Sequence, residues 1–228
     1  MLRQTFERDL RRLQDEVLAL GNMVERALAE SVEALKRRDL VAARRIIADD
    51  SKINAKRFTI EGEVLVLIAT QQPMASDLRV LAAILETVTE LERIGDYAKG
   101  ISRISEMIGD APLLKPLVDV PRMSAKALDM LHRALDAFVR QDVEAARAIP
   151  KEDDEVDALY NQVYRELLTY IIEDPSRMEQ ANQLLWVAHN LERAADRVTN
   201  ICERVVFTVT GEMTEMDTTD TEEGIAGV

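Results

Sequence analysis

Apolar residues recur along the chain at helical spacing almost from its start. Leu10, Leu13, Val17, Leu20 and Val24 follow one another at intervals of three and four, and Leu28, Val32 and Leu35 continue the pattern. Such a stripe is one buried face of a long first helix. The polar cluster Lys36-Arg37-Arg38-Asp39 ends it, and a second helix is predicted from Leu40 to about Ala69. Gln71-Gln72-Pro73 interrupts that helix. Ser76 or Asp77 is the expected N-cap of a third helix from about Asp77 to Ile108, because a short polar side chain can satisfy the free amides of a first turn. Gly109, Pro112, Pro116 and Pro121 then mark a linker. The same order returns after it: a helix from about Arg122 to Arg140, a short one up to Pro150, another from about Lys151 to Ile172, the breaker Asp174-Pro175, and a last helix to about Val209.

The recurrence extends to residues. Asp39-Leu-Val-Ala-Ala-Arg resembles Asp142-Val-Glu-Ala-Ala-Arg, and Leu91-Glu-Arg-Ile-Gly-Asp resembles Leu191-Glu-Arg-Ala-Ala-Asp. A period of about half the chain points to two related units rather than a solenoid. Helices joined by short hairpins favour antiparallel bundles. The expected fold is all-α, two tandem antiparallel three-helix bundles at residues 1–110 and 120–210. Residues 211–228 carry acids, Thr and Gly but no basic side chain, and are expected to form a disordered acidic tail.

Composition agrees. Of 228 residues 47% are apolar and only 4% aromatic, a mix that packs long helices with aliphatic side chains. The formal charge of −13 makes nucleic acid and anionic membrane surfaces poor partners. The longest apolar run, Val64 to Ala69, is far too short to span a bilayer, and the charged N-terminal stretch lacks an apolar signal core, so the cytoplasm is the expected location. The single cysteine, Cys202, cannot form an intrachain disulfide and is expected to be a small core residue. Trp186, Tyr160, Tyr164 and Tyr170 are likewise expected in the core or at its boundary.

Chemistry enters where apolar stripes turn acidic. In the second helix one stripe reads Ile47, Asp50, Asn54, Phe58, Glu61, Leu65, Ile68; in the third, one reads Leu81, Leu85, Val88, Glu92, Asp96. Carboxylates that continue a core-facing stripe are costly unless paired or bound to a cation. Pro73 lies midway between Asp50 and Asp96, and also midway between Asn54 and Glu92. A hairpin at Pro73 therefore sets Asp50 opposite Asp96 and Asn54 opposite Glu92, each i,i+4 pair spanning about 6 Å. Asp153 with Asp196, and Asp157 with Glu192, are centred in the same way on the Asp174-Pro175 breaker. Two hairpins thus gather hard oxygen donors, which suit Mg, Mn, Ca or iron, and Zn less well. The alternative is that these acids are solvated or pair with Arg93, Arg193 and Arg197.

Other readings stay open at this point. A ferritin-like di-iron carboxylate enzyme would need Glu-x-x-His pairs within one four-helix core. The chain has only His132 and His189, and His189 precedes Glu192, the reverse order. No nucleophile–base pair is visible, so an enzyme is not expected. A purely structural helical scaffold is compatible with the stripes.

The segments ATQQPMASDLRVLAAILETVTELERIGDYAKGI, and LLTYIIEDPSRM followed by HNLERAADRVTNICE, resemble the signature regions of the PhoU family, regulators associated with high-affinity phosphate transport. The resemblance covers about residues 10 to 210. It implies two three-helix bundles related by a pseudo-twofold axis, with E/D-x-x-x-D motifs holding iron or other metal ions on the bundle surface. One implied site is Asp50, Asn54, Glu92 and Asp96; the other is Asp153, Asp157, Glu192 and Asp196. Asn54 stands where the pattern has an acid, which is expected to weaken the first site, and Ala194-Ala195 replaces Ile94-Gly95. The implied role is negative regulation of phosphate uptake and of the phosphate-starvation (Pho) response. The implied partners are the transporter's ATPase subunit and the PhoR sensor kinase, with a homodimer as the common assembly.

Overall fold

The computed structural model describes residues 2–216. Seven α-helices follow in order: α1 Leu2–Arg37, α2 Leu40–Gln71, α3 Ala75–Ile108, α4 Asp119–Arg140, α5 Val143–Ala148, α6 Asp153–Glu173 and α7 Met178–Thr210. Short 3-10 turns occupy Ile149–Glu152 and Pro175–Arg177, and the described residues include no strand. None of these helices is long and apolar enough to cross a membrane.

The repeated Asp-x-x-Ala-Ala-Arg motif is a helix start. Arg38 adopts a left-handed φ of 57° and ends α1; Asp39 then accepts the amides of Val41 and Ala42 and opens α2. In the second half Gln141 takes φ 55° after α4, and Asp142 accepts the Ala145 amide to open α5. An acidic side chain at this point satisfies amides that the helix leaves free. At the Pro73 hairpin the outcome differs from expectation. Gln72 ends α2 in a left-handed conformation, and α3 starts at Ala75 after an extended Met74 with no side-chain cap. Ser76 and Asp77 lie inside the first turn, where Asp77 favours the positive end of the helix dipole rather than capping it. Pro121 belongs to the first turn of α4 instead of the linker, because a proline there loses no helical hydrogen bond.

Helices α1, α2 and α3 pack on one another, as do α4, α6 and α7, giving two three-helix bundles. The predicted α1 stripe is the core: Leu13, Val17, Leu20, Val24, Leu28 and Leu35 are almost completely buried. The halves join through α3 on α7 and α1 on α4, and one apolar core runs through both. A polar seam accompanies α3 and α7. Glu90 accepts from Arg93, Arg197 and Asn200, Arg204 pairs with Glu86 at 2.8 Å, and Arg79 donates to the Thr208 carbonyl. In the linker, buried Lys115 pairs with Glu166.

Several expectations about faces change. The core face of α2 is Ala43, Ile46, Ile53, Ile60, Val64 and Leu67, with Asp50 at its edge. Phe58 and Leu65, placed above on a core-facing stripe, are 62% and 58% exposed. An apolar residue at helical spacing can lie on either side of the true buried arc, and only packing selects the side. Trp186 and Tyr164 are exposed for the same reason, while Tyr160 packs against the core. Cys202 is fully buried, and that burial pushes its thiol up to about 12. Residues 211–216 are non-helical and turn back: the Met216 amide donates to Glu203 at 2.8 Å and its side chain packs against the core. The remainder of the expected tail, 217–228, lies outside the described residues.

Candidate functional site

The acids sit where two neighbouring helices of each bundle face one another, on α2 and α3 in the first half and on α6 and α7 in the second. In the first half the hairpin brings Asp50 and Asp96 to one cation. The Lys99 ammonium lies 2.6 Å from Asp50 Oδ2 and 3.6 Å from an Asp96 oxygen. Asn54 donates its amide to that same Asp50 oxygen at 3.2 Å. One turn further along α2, Arg57 bonds Glu61 at 2.8 Å and reaches Glu92 at 3.3 Å. The Asp50 side chain is only 6% exposed, whereas Asp96 is half exposed. Its bond to Asp50, with the charges of Asp50 and Asp96, raises the Lys99 pKa despite partial burial. The cation is therefore held firmly in its charged form.

Gly95 lets the two helices come this close. A methyl group at Gly95 would lie 3.2 Å from Ile53 Cδ1, and Ile53 is fixed in the core between Asp50 and Arg57.

The pairing arginines expected from sequence are not the ones that meet these acids in the first half. Arg93 turns to Glu90 at 2.6 Å, and Arg197 crosses to the same residue. Lys99 and Arg57 take the role instead. Their spacing was a usable signal, since Lys99 follows Asp96 by three and Arg57 precedes Glu61 by four.

The second half repeats the acids but not the cations that stand at Lys99 and Arg57. The repeat sets Asp153 where the first half has Asp50 and Asp157 where it has Asn54, while Glu192 and Asp196 stand for Glu92 and Asp96. Carried one turn on, it puts Tyr160 at the position of Arg57 and Thr199 at that of Lys99. Asp153 is buried, and Asp157, Glu192 and Asp196 are half-buried. Burial first, then the charges of Asp196 and Asp157, push the Glu192 carboxyl up to about 7, against the pull of Arg193 and Arg197. Glu192 Oε2 is buried without a hydrogen-bond partner, although His189 Nδ1 lies 3.2 Å away. Arg193 contacts Asp196 only at 3.6 Å. Thr199 Oγ1 is likewise buried without a hydrogen-bond partner. His189 is held between aromatic rings, 5.6 Å from Trp186 and 6.2 Å from Tyr160. His132 stands apart on α4, 3.4 Å from Glu25.

Among the described residues no three His, Cys, Asp or Glu side chains converge as a ready-made ligand set. The donors of the second patch suit a hard cation by type, and an orphaned buried carboxylate oxygen is the kind of group that a cation satisfies.

The profile of the PhoU domain matches residues 17–105 and again residues 120–205. The chain is 36% identical over 218 residues to a phosphate-specific transport system accessory protein PhoU homolog of Clostridium acetobutylicum, covering 95% of this chain and all of that one. It is 35% identical over 207 residues to the accessory protein PhoU of Escherichia coli, covering 91% and 86% respectively. The crystal structure of PhoU from Pseudomonas aeruginosa superposes with a TM-score of 0.86 at 33% identity, over 91% of this chain and all of that one. That of the phosphate transport system regulatory protein PhoU from Streptococcus pneumoniae gives 0.85 at 31% identity, over 92% and 99%.

Proposed function

The chain belongs to the PhoU family, whose named relatives are accessory proteins of phosphate-specific transport, and from that premise we propose that it is a negative regulator of phosphate uptake and of the Pho response. It acts in the cytoplasm, as a homodimer, by binding rather than by catalysis. Its partners are the ATPase subunit of the phosphate transporter and the PhoR sensor kinase. The observation that carries this reading is the family match in both halves, together with alignments that span nearly all of the chain.

Asp153, Asp157, Glu192 and Asp196 would hold a divalent or trivalent cation such as Mg, Mn, Ca, Zn or iron. A bound cation would supply positive charge beside Glu192, whose carboxyl is pushed up first by burial and then by the charges of Asp196 and Asp157. The chain's own contribution is to carry Asp153 and Asp157 on α6 and Glu192 and Asp196 on α7, two helices that pack on each other over the shared core. Cation binding can shift a docking-competent population only by favouring one state over another.

Deleting the gene is expected to raise expression of phosphate-starvation genes in phosphate-rich medium. A Glu192→Gln, Asp196→Asn double variant is expected to fold, yet fail to restore repression. Unchanged expression in the deletion strain would refute the regulatory reading; full rescue by the double variant would refute the role of the cation. Affinity capture from cells at high and low phosphate tests the two partners.

A further inference from the structure

We propose that Lys99 is the built-in counter-ion of the first patch and closes it to metal ions, so that the two halves of the chain are unequal cation sites. The inference rests on the reading of the second patch as a cation site, but it concerns the first.

The Lys99 ammonium already bridges the two carboxylates, Asp50 and Asp96, that the Pro73 hairpin sets opposite each other. It occupies the place where a shared metal would bring those oxygens together. Asn54 spends its amide on the same Asp50 oxygen, and Arg57 supplies a second fixed charge beside Glu92. A divalent ion entering here would meet an ammonium and a guanidinium at contact range, both partly shielded from water. At such distances like charges repel strongly, because little water lies between them. The second patch has Thr199 and Tyr160 at those two positions and Asp157 in place of Asn54. At these positions it lacks two cations and gains one anion, and the cations it does have near its acids are Arg193, 3.6 Å from Asp196, and Arg197, which acts on Glu192 without holding its carboxyl down.

The first patch nonetheless keeps the makings of a metal site. Asp50 Oδ1 is buried with no hydrogen-bond partner. Removing the ammonium would leave Asp50 with both oxygens able to accept a cation, and with Asp96 across the hairpin as a second ligand. Lys99 is thus a specificity-determining residue: it decides which half takes metal, while Asp50, Glu92 and Asp96 have the same carboxylates opposite them in the repeat, at Asp153, Glu192 and Asp196.

The test is Mn2+ binding by the full chain, measured as bound metal after equilibrium dialysis and as the thermal midpoint in Mn2+ against that in EDTA. In the wild type, bound Mn2+ is expected to disappear with Glu192→Gln plus Asp196→Asn and to be unaffected by Asp50→Asn. Lys99→Met is expected to bind about one further ion per chain, with affinity at the first patch raised more than about a hundredfold. Its midpoint should fall in EDTA and recover in Mn2+, and adding Asp50→Asn should abolish both the extra ion and the recovery. If Lys99→Met does not fold in EDTA, Lys99→Gln retains a donor for Asp50 without the charge and is expected to gain the same ion. The proposal is overturned if Asp50→Asn costs the wild type an ion, or if neither Lys99 variant binds more Mn2+ than the wild type. A wild type that takes no Mn2+, beside a Lys99→Met variant that takes one through Asp50, would sink the cation reading of the second patch and leave the role of Lys99 standing.

Discussion

In the first half Asp50 meets Lys99 at 2.6 Å and Glu92 meets Arg57 at 3.3 Å; in the second half Thr199 and Tyr160 stand at the corresponding points, and the Glu192 carboxyl rises to about 7. The scaffolds beneath are alike, although the stretch that forms α2 in the first half is divided into α5, a 3-10 turn and α6 in the second. Each half opens a helix with an aspartate cap and packs its acid-bearing hairpin on a third helix. A repeat can therefore preserve the placement of charge while changing its compensation, and the two properties are set by different residues. Placement follows from helix register and from where the hairpin turns. Compensation follows from single side chains one turn away.

The largest expected effect comes from deleting the first half's own cation. Lys99→Met leaves the Asp50 carboxylate buried with the Asn54 amide but no cation, at a cost of about 3 kcal/mol in urea unfolding without metal. A loss well under about 1 kcal/mol would mean that the pair is no stronger than a surface ion pair, and would erase the contrast between the halves. The caps come next. Asp39→Ala and Asp142→Ala are each expected to cost about 1 kcal/mol. Asp39 should cost more, because it accepts two amides and Asp142 one. Equal losses would show that the cap geometry does not distinguish the halves.

A change in the acids themselves should act mainly on cation binding. Asn54→Asp makes the first patch resemble the second, and Asp157→Asn does the reverse. With Lys99 in place, the first change is expected to leave bound Mn2+ unaltered, and the second to weaken it about tenfold. Equilibrium dialysis reads both.

The effect that is smallest near neutral pH concerns Cys202, which lies in the second half. Its thiol, raised to about 12 by burial, should resist thiol reagents in the native protein at pH 8 and react once the chain is unfolded. The sign of its pH dependence follows. Above an ordinary thiol value of 9.0 the unfolded chain ionises Cys202 and the native chain does not, so stability falls as pH rises. Cys202→Ala should remove that part of the slope in unfolding measured between pH 9.0 and about 11. Rapid native labelling at pH 8 would show that the α7 core opens locally.

Much of this architecture was legible before any coordinates. The α1 stripe from Leu13 to Leu35, the hairpins at Pro73 and Asp174-Pro175, and the meeting of Asp50 with Asp96 all follow from periodicity and from breakers. The helix caps were half legible. Asp39 and Asp142 were visible as a repeat but not as caps, while Ser76 and Asp77 carried a cap signature that was not used. The chain had already entered the helix at Ala75, so their side chains were no longer at its end. Periodicity places Phe58 and Leu65 on the core face of α2, and composition places Trp186 in the core or at its boundary, yet all three are exposed. At Phe58 and Leu65 an apolar residue fell on the regular spacing but beyond the arc that neighbouring helices cover.

Sequence alone determined the all-helical class, the internal repeat and the meeting of Asp50 with Asp96, because these depend on rise per residue, on turn residues and on the order of the chain. Tertiary structure decided which acids are compensated and by what. Lys99 and Arg57 bridge α2 and α3 only because Gly95 and Ile53 bring those helices together, and Arg93 and Arg197 are drawn away to Glu90 at the α3–α7 seam. The physical reason is range. A helix's register is a local property, whereas the partner of a long charged side chain is whatever the packing of distant segments leaves within a few ångströms of its tip.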